Sequence, residues 1–179
     1  MIARFAVSQR LLHWVMAACI LTMLFIGVGM VATVTSRYLT LVQIHKSLGI
    51  AILVLALIRL SLRFYYGTPA LPADLPVPIK IAANLSHYIL YGLMIGMPLI
   101  GWAMLSAASY PIVLFGSWHL PWIAPASPQL HTILWRAHHY VAFAFFAVIL
   151  MHIAAALFHL LVRHDGVFGT MELRLTKVR

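Results

Sequence analysis

Four runs of apolar residues, at approximately 11–32, 42–62, 81–105 and 139–162, govern what this chain can become. Each is long enough to cross about 30 Å of hydrocarbon at about 1.5 Å per helical residue. In a bilayer the backbone must satisfy its own hydrogen bonds, so such runs fold as helices. With 64% of 179 residues hydrophobic and only 8% charged, the composition is that of a membrane protein. The connections are short. They predict an all-α fold, an integral membrane four-helix bundle, with residues 1–179 forming a single domain.

The first run lacks a small-residue cleavage motif and carries His13, so it reads as a retained span and not as a signal peptide. Cys19 is the only cysteine, which excludes an internal disulfide and a CxxCH covalent haem attachment. The net charge of +9 needs no nucleic-acid partner to explain it, because the cations cluster at membrane edges beside lipid. Arg4, Arg10, Arg59, Arg63, Lys80, Arg163, Arg174, Lys177 and Arg179 fall on the side of the termini, against Arg37, Lys46 and Arg136 opposite. The positive-inside rule then makes both termini of this multi-pass membrane protein cytoplasmic. The three acids, Asp74, Asp165 and Glu172, share that side, so the outer face is sparse in charge and purely basic.

The 63–80 connection is proline-rich and reads as an extended loop. The 106–137 connection is longer and apolar, with Trp118, Trp122 and Trp135, and suits an interfacial segment at the outer mouth, either a lid or a membrane-anchored loop. Gly92 and Gly96 form a GxxxG pair consistent with close helix packing or with room for a flat cofactor.

Histidines are the polar exceptions inside the spans, and such residues in a membrane are functional candidates by default. His138 and His152 lie 14 residues apart. That spacing is about 21 Å of helix and just under four turns, so both imidazoles share one face. Matching depth pairs His152 with His13 on the inner side and His138 with His45 on the outer side. Zinc sites draw four ligands into a small volume, often with cysteine or carboxylate, whereas iron in a porphyrin needs only two axial donors. Two separated histidine pairs therefore point to two b-type haems between the helices.

His87 and His159 lie on the same side as His13 and His152, with Lys80 close by in sequence, and they suit a quinone head group that needs hydrogen bonds and protons. Interfacial histidines facing lipid headgroups or haem propionates would have the same positions. Arg10, Arg59 and Arg63 could neutralise propionates or anchor to headgroups.

These residues carry a family resemblance. RLLHW with His13, QIHKSLGIAILVLALIRLSLR with His45, NLSHYILYGLMIGMPLIGW with His87, and RAHHY and LMHIAAALFHLL with His138, His152 and His159 resemble the bacterial cytochrome b561 family over nearly the whole chain. The layout is also similar to the haem-binding gamma subunit of formate dehydrogenase. The resemblance implies haem b ligation by His13, His45, His138 and His152. It further implies electron transfer from an outer donor, superoxide in the superoxide oxidase, to ubiquinone near the cytoplasmic side at His87 and His159. The rival expectation is an anchor subunit that relays electrons between a periplasmic redox partner and the quinone pool.

Overall fold

The computed structural model describes residues 3–173; Arg174, Lys177 and Arg179, counted above among the inner cations, lie outside the described residues. Four helices are long and apolar enough to cross a membrane. They are α1 (Val7–Ala32), α2 (Arg37–Tyr66), α3 (Val77–Ala107) and α4 (Pro128–Phe158).

Local chemistry sets their ends. At the start of α1, Gln9 Oε1 accepts the Ala6 N–H at 3.1 Å, the half of a capping box that needs no acceptor on the N-cap side chain. Helix α2 stops at Gly67, whose φ of 71° suits a residue without a Cβ and whose N–H returns to Arg63 O at 3.0 Å. Helix α4 opens on Ser127, whose Oγ accepts the Leu130 N–H at 3.2 Å, followed by a proline where a missing N–H costs nothing. Pro98 lies inside α3 and leaves the Met94 carbonyl without its helical donor.

The helices outrun the apolar stretches. The fourth begins at Pro128, and the expected 63–80 loop shrinks to residues 67–76. Apolarity marks what hydrocarbon covers, whereas capping chemistry marks where helical backbone starts. The outer connection adds an element absent from the all-α expectation, an antiparallel hairpin of β1 (Ile112–Leu114) and β2 (Trp118–Leu120) with Val113 opposite His119. Phe115 and Gly116 turn it, with φ of 49° and 82°.

Backbone packing is closest between α1 and α2 and between α3 and α4, with α2 against α3; α4 hardly meets α1 or α2. A small apolar cluster of Met16, Ala56, Tyr91, Met94, Phe145 and Ile149 joins the four helices at mid-depth. Phe145 is midway between His138 and His152, and Ile149 is one turn before His152, so these four share the inward face of α4. Beyond α4, residues 168–171 form a short 3₁₀ turn. The tail then lies across α1. Thr170 O accepts from Phe5 N at 3.3 Å, Met171 O from Trp14 Nε1 at 2.9 Å, and Glu172 O from Arg10 Nη1 at 2.6 Å.

Candidate functional site

The bundle has a terminal end, where α1 starts and α4 stops, and a hairpin end. Each holds one facing pair of imidazoles. At the terminal end the His13 and His152 ring centroids are 6.3 Å apart with the planes at 73°. At the hairpin end the His45 and His138 centroids are 6.1 Å apart at 66°. Both pairs bridge α4 to a helix that it otherwise barely approaches. Direct imidazole hydrogen bonding would draw the rings closer. A shared metal ion between two imidazoles needs a bond of about 2 Å on each side plus about 1 Å of ring radius, or about 6 Å in all. The observed separations match that requirement, so both pairs fit axial ligation of a flat haem.

The hairpin-end pair carries a second mark. Nδ1 of both His45 and His138 is buried with no hydrogen-bond partner among the described residues. An unsatisfied buried nitrogen is costly, so this pair is held for something other than stability. What places the His138 ring is Gly101 on α3, where a Cβ would come within 3.3 Å of Cε1 and 3.6 Å of Nδ1. The close-approach glycine is thus Gly101. Gly92 and Gly96 would meet nothing within 4 Å if given side chains. Of their two readings, close helix packing or room for a flat cofactor, the packing contact is therefore absent among the described residues and open space remains.

The hairpin is tied to α2 on either side of His45, through Gln43 Nε2 donating to Val113 O at 2.7 Å and Phe115 N donating to Ser47 Oγ at 3.1 Å. Gln43 and Ser47 are one turn apart and lie on the α2 face opposite His45. The outer segment therefore seals the α2–α3 side, with Ile112 and Leu114 buried beneath it, and does not close over the His45 ring from that side. Outer histidines serve structure as well: His131 Nδ1 bonds Met104 O at 3.0 Å, and His139 Nδ1 bonds Trp135 O at 2.8 Å.

The terminal end is more polar. His87 Nδ1 donates to Ala83 O at 2.7 Å, and its ring lies 5.7 Å from that of His152. Gln9 is buried and donates to Leu62 O and Gly67 O, while Arg59 Nη1 donates to Gln9 O at 2.9 Å. The Arg63 guanidinium sits 5.9 Å from the Tyr91 ring centroid. Each of the three residues expected around a quinone has its own contact at this end. His87 is against His152, His159 bonds Asp165, and Lys80 Nζ is turned to the loop carbonyl of Ala73 at 3.0 Å.

Sequence reasoning missed Gly101 and Asp165. A glycine one helix away from a histidine gives no periodic signal, and Asp165 lies beyond the last span.

A family model described as prokaryotic cytochrome b561 matches residues 4–172. The chain is 28% identical over 171 residues to "Cytochrome b561 homolog 1" of Escherichia coli (strain K12), with 91% of this chain and 93% of that protein aligned. It is 34% identical over 125 residues to "Probable superoxide oxidase CybB" of Yersinia pestis, spanning 69% of this chain and 70% of that one. It is also 27% identical to "Cytochrome b561 homolog 2" of Escherichia coli (strain K12), over 94% of this chain and 90% of that protein.

Proposed function

From the premise that this chain belongs to the prokaryotic cytochrome b561 family, membrane electron-transfer proteins with b-type haem, we propose that it is a superoxide:quinone oxidoreductase holding two haems. The observation that carries the reading is the pair of facing imidazole couples, His13 with His152 and His45 with His138, set 14 residues apart on α4. Haem b held between two histidines would supply a one-electron carrier with no open axial position.

The chain's own residues divide the rest of the work. His45 and His138 hold the hairpin-end group, and Gly101 keeps the His138 ring where it can do so. Arg37, Lys46 and Arg136 make that end purely basic, which raises the local concentration of an anion such as superoxide. Its oxidation removes one electron and requires no bond to a metal, which suits a site where His45 and His138 would both be committed to holding the group. At the terminal end the substrate is ubiquinone, taken up in the region of His87, His159 and Lys80. Two superoxide ions, one quinone and two protons give two dioxygen molecules and one quinol. The positive surplus around α1 and α2 at this end supports a cytoplasmic terminal end and a periplasmic hairpin. The name of the Yersinia pestis relative supports the choice of donor.

The test is to mix oxidised, purified protein with a superoxide source and follow the haem absorption bands, with superoxide dismutase as control. Fast reduction abolished by dismutase is the expected result. Reduction by dithionite alone would leave the haems standing and remove superoxide as donor.

A further inference from the structure

Helix α4 does not run straight out of the membrane. Its last turn widens to π-type over His159–Arg163, and His164 then takes a left-handed φ of 51°. Widened turns recur at functional sites, and a non-glycine residue in the left-handed region carries strain. Together they fold Asp165 back onto the helix it has just left. Asp165 Oδ2 accepts from His159 Nδ1 at 2.7 Å and from Arg163 Nε at 2.9 Å, and Oδ1 accepts from Val167 N at 3.2 Å. Arg163 Nη2 reaches on to Asp74 Oδ2 at 2.7 Å. The His159 and Asp165 side chains are 13% and 9% exposed, whereas Asp74 is 72% exposed at the water edge. The chain has only three acids, and two of them meet in this cluster.

We propose that Asp165 is a positioning residue that fixes His159 as proton donor to the quinone. The proposal rests on the quinone reading above. An ionised carboxylate offers no hydrogen, so Nδ1 of His159 must carry the proton in this bond. That leaves Nε2 as the working nitrogen and sets the ring orientation. When both ring nitrogens are protonated, Nδ1 stays on the carboxylate and Nε2 carries the transferable proton. His159 then releases the Nε2 proton to a carbonyl oxygen as the N–H bond breaks and the O–H bond forms, and it recovers a proton from water. Each quinone takes two electrons, delivered from superoxide, and two protons, one through His159 and one from the aqueous side. Arg163 spans both aspartates and holds the carboxylate against the ring, while the exposed Asp74 opens the cluster to water.

A bare helix-end staple would use the same hydrogen bonds, so the experiment separates the two roles. Protein with pre-reduced haems is mixed with a short-chain ubiquinone analogue or with ferricyanide, which takes an electron without a proton, in light and in heavy water. Asp165→Asn is expected to slow reoxidation by quinone about tenfold or more, in line with positioned acid–base groups, and to enlarge the heavy-water effect. Reoxidation by ferricyanide and haem content should stay at the wild-type level. Asp165→Glu should recover part of the rate. Asp74→Asn, which removes the exposed ion pair with Arg163 but keeps the His159–Asp165 bond, should stay within about twofold because an exposed ion pair contributes little. Equal slowing with both acceptors would reduce Asp165 to a staple and overturn the proposal. So would a variant that reacts with quinone as fast as wild type. If quinone fails to reoxidise even the wild-type protein, the quinone reading falls and this role with it, an outcome distinct from the failure of Asp165 alone.

Discussion

The two ends of the bundle hold imidazole couples of nearly equal separation, 6.3 and 6.1 Å, yet they position them by different means. At the terminal end the couple sits in a polar ring. His87 is tethered to Ala83 O, Gln9 stitches α1 to the end of α2, and Arg59 braces Gln9. At the hairpin end Nδ1 of both histidines lacks a partner among the described residues, and the His138 ring is placed by packing against Gly101. One geometry is thus reached once through hydrogen bonds around the couple and once through shape. The contrast also sorts chemistry. All three acids, Asp74, Asp165 and Glu172, belong to the terminal end, where the proposed quinone would take up protons.

The sharpest way to break this comparison is to remove one ligand at a time. His45→Leu and His152→Leu should each lower the haem content by one per chain, read from the pyridine haemochrome spectrum, and the double variant should bind none. His87→Leu should retain both haems. Loss of one there would make His87, with its ring 5.7 Å from His152, the true partner in place of His13.

Next in size is Gly101→Leu. It should displace the His138 ring and deplete or shift the hairpin-end haem, leaving the terminal-end bands unchanged in a low-temperature spectrum. An equal change in both would mean that shape does not act locally. A smaller effect follows from Ser47→Ala, which leaves the Phe115 N–H without its acceptor at a cost of about 1–3 kcal/mol. Faster protease cleavage between β1 and β2 with unchanged haem content is the expected reading.

The smallest effect concerns acid. Burial works against the Asp165 carboxylate, but hydrogen bonds from Arg163, His159 and Val167 N–H outweigh it and hold its pKa below the usual carboxylate range. A depressed folded pKa means stabilisation that is complete above the ordinary aspartate pKa and lost as pH falls through the lowered one. Amide exchange around Val167 should therefore stay slow at neutral and mildly acid pH and quicken only in strong acid. Quickening near pH 6 would contradict this.

The four spans were legible because hydrocarbon selects one kind of residue over a long stretch, and the histidines were legible because they break that selection. Their facing arrangement also followed from depth along helices of fixed rise. What sequence could not carry was anything made by a single backbone angle or a contact between distant residues. The hairpin depends on Phe115 in a left-handed conformation and on Gln43 and Ser47 from another helix. The return of Asp165 depends on a widened turn and on His164. Gly92 and Gly96 show the converse, a recognisable pattern that allowed either a packing contact or free room, where only the structure shows the room.

The tail that lies across α1 bears on the order in which the molecule is assembled. Arg10 and Trp14 are held by carbonyls 162 and 157 positions further along the chain. Helix α1 is therefore fastened by residues synthesised only after α2, α3 and α4, and contacts of such long range form late. Until translation passes Glu172, α1 sits in the membrane without its latch. A reporter spliced between Asp165 and Glu172 would thus monitor an unlatched intermediate, even with all four helices already inserted.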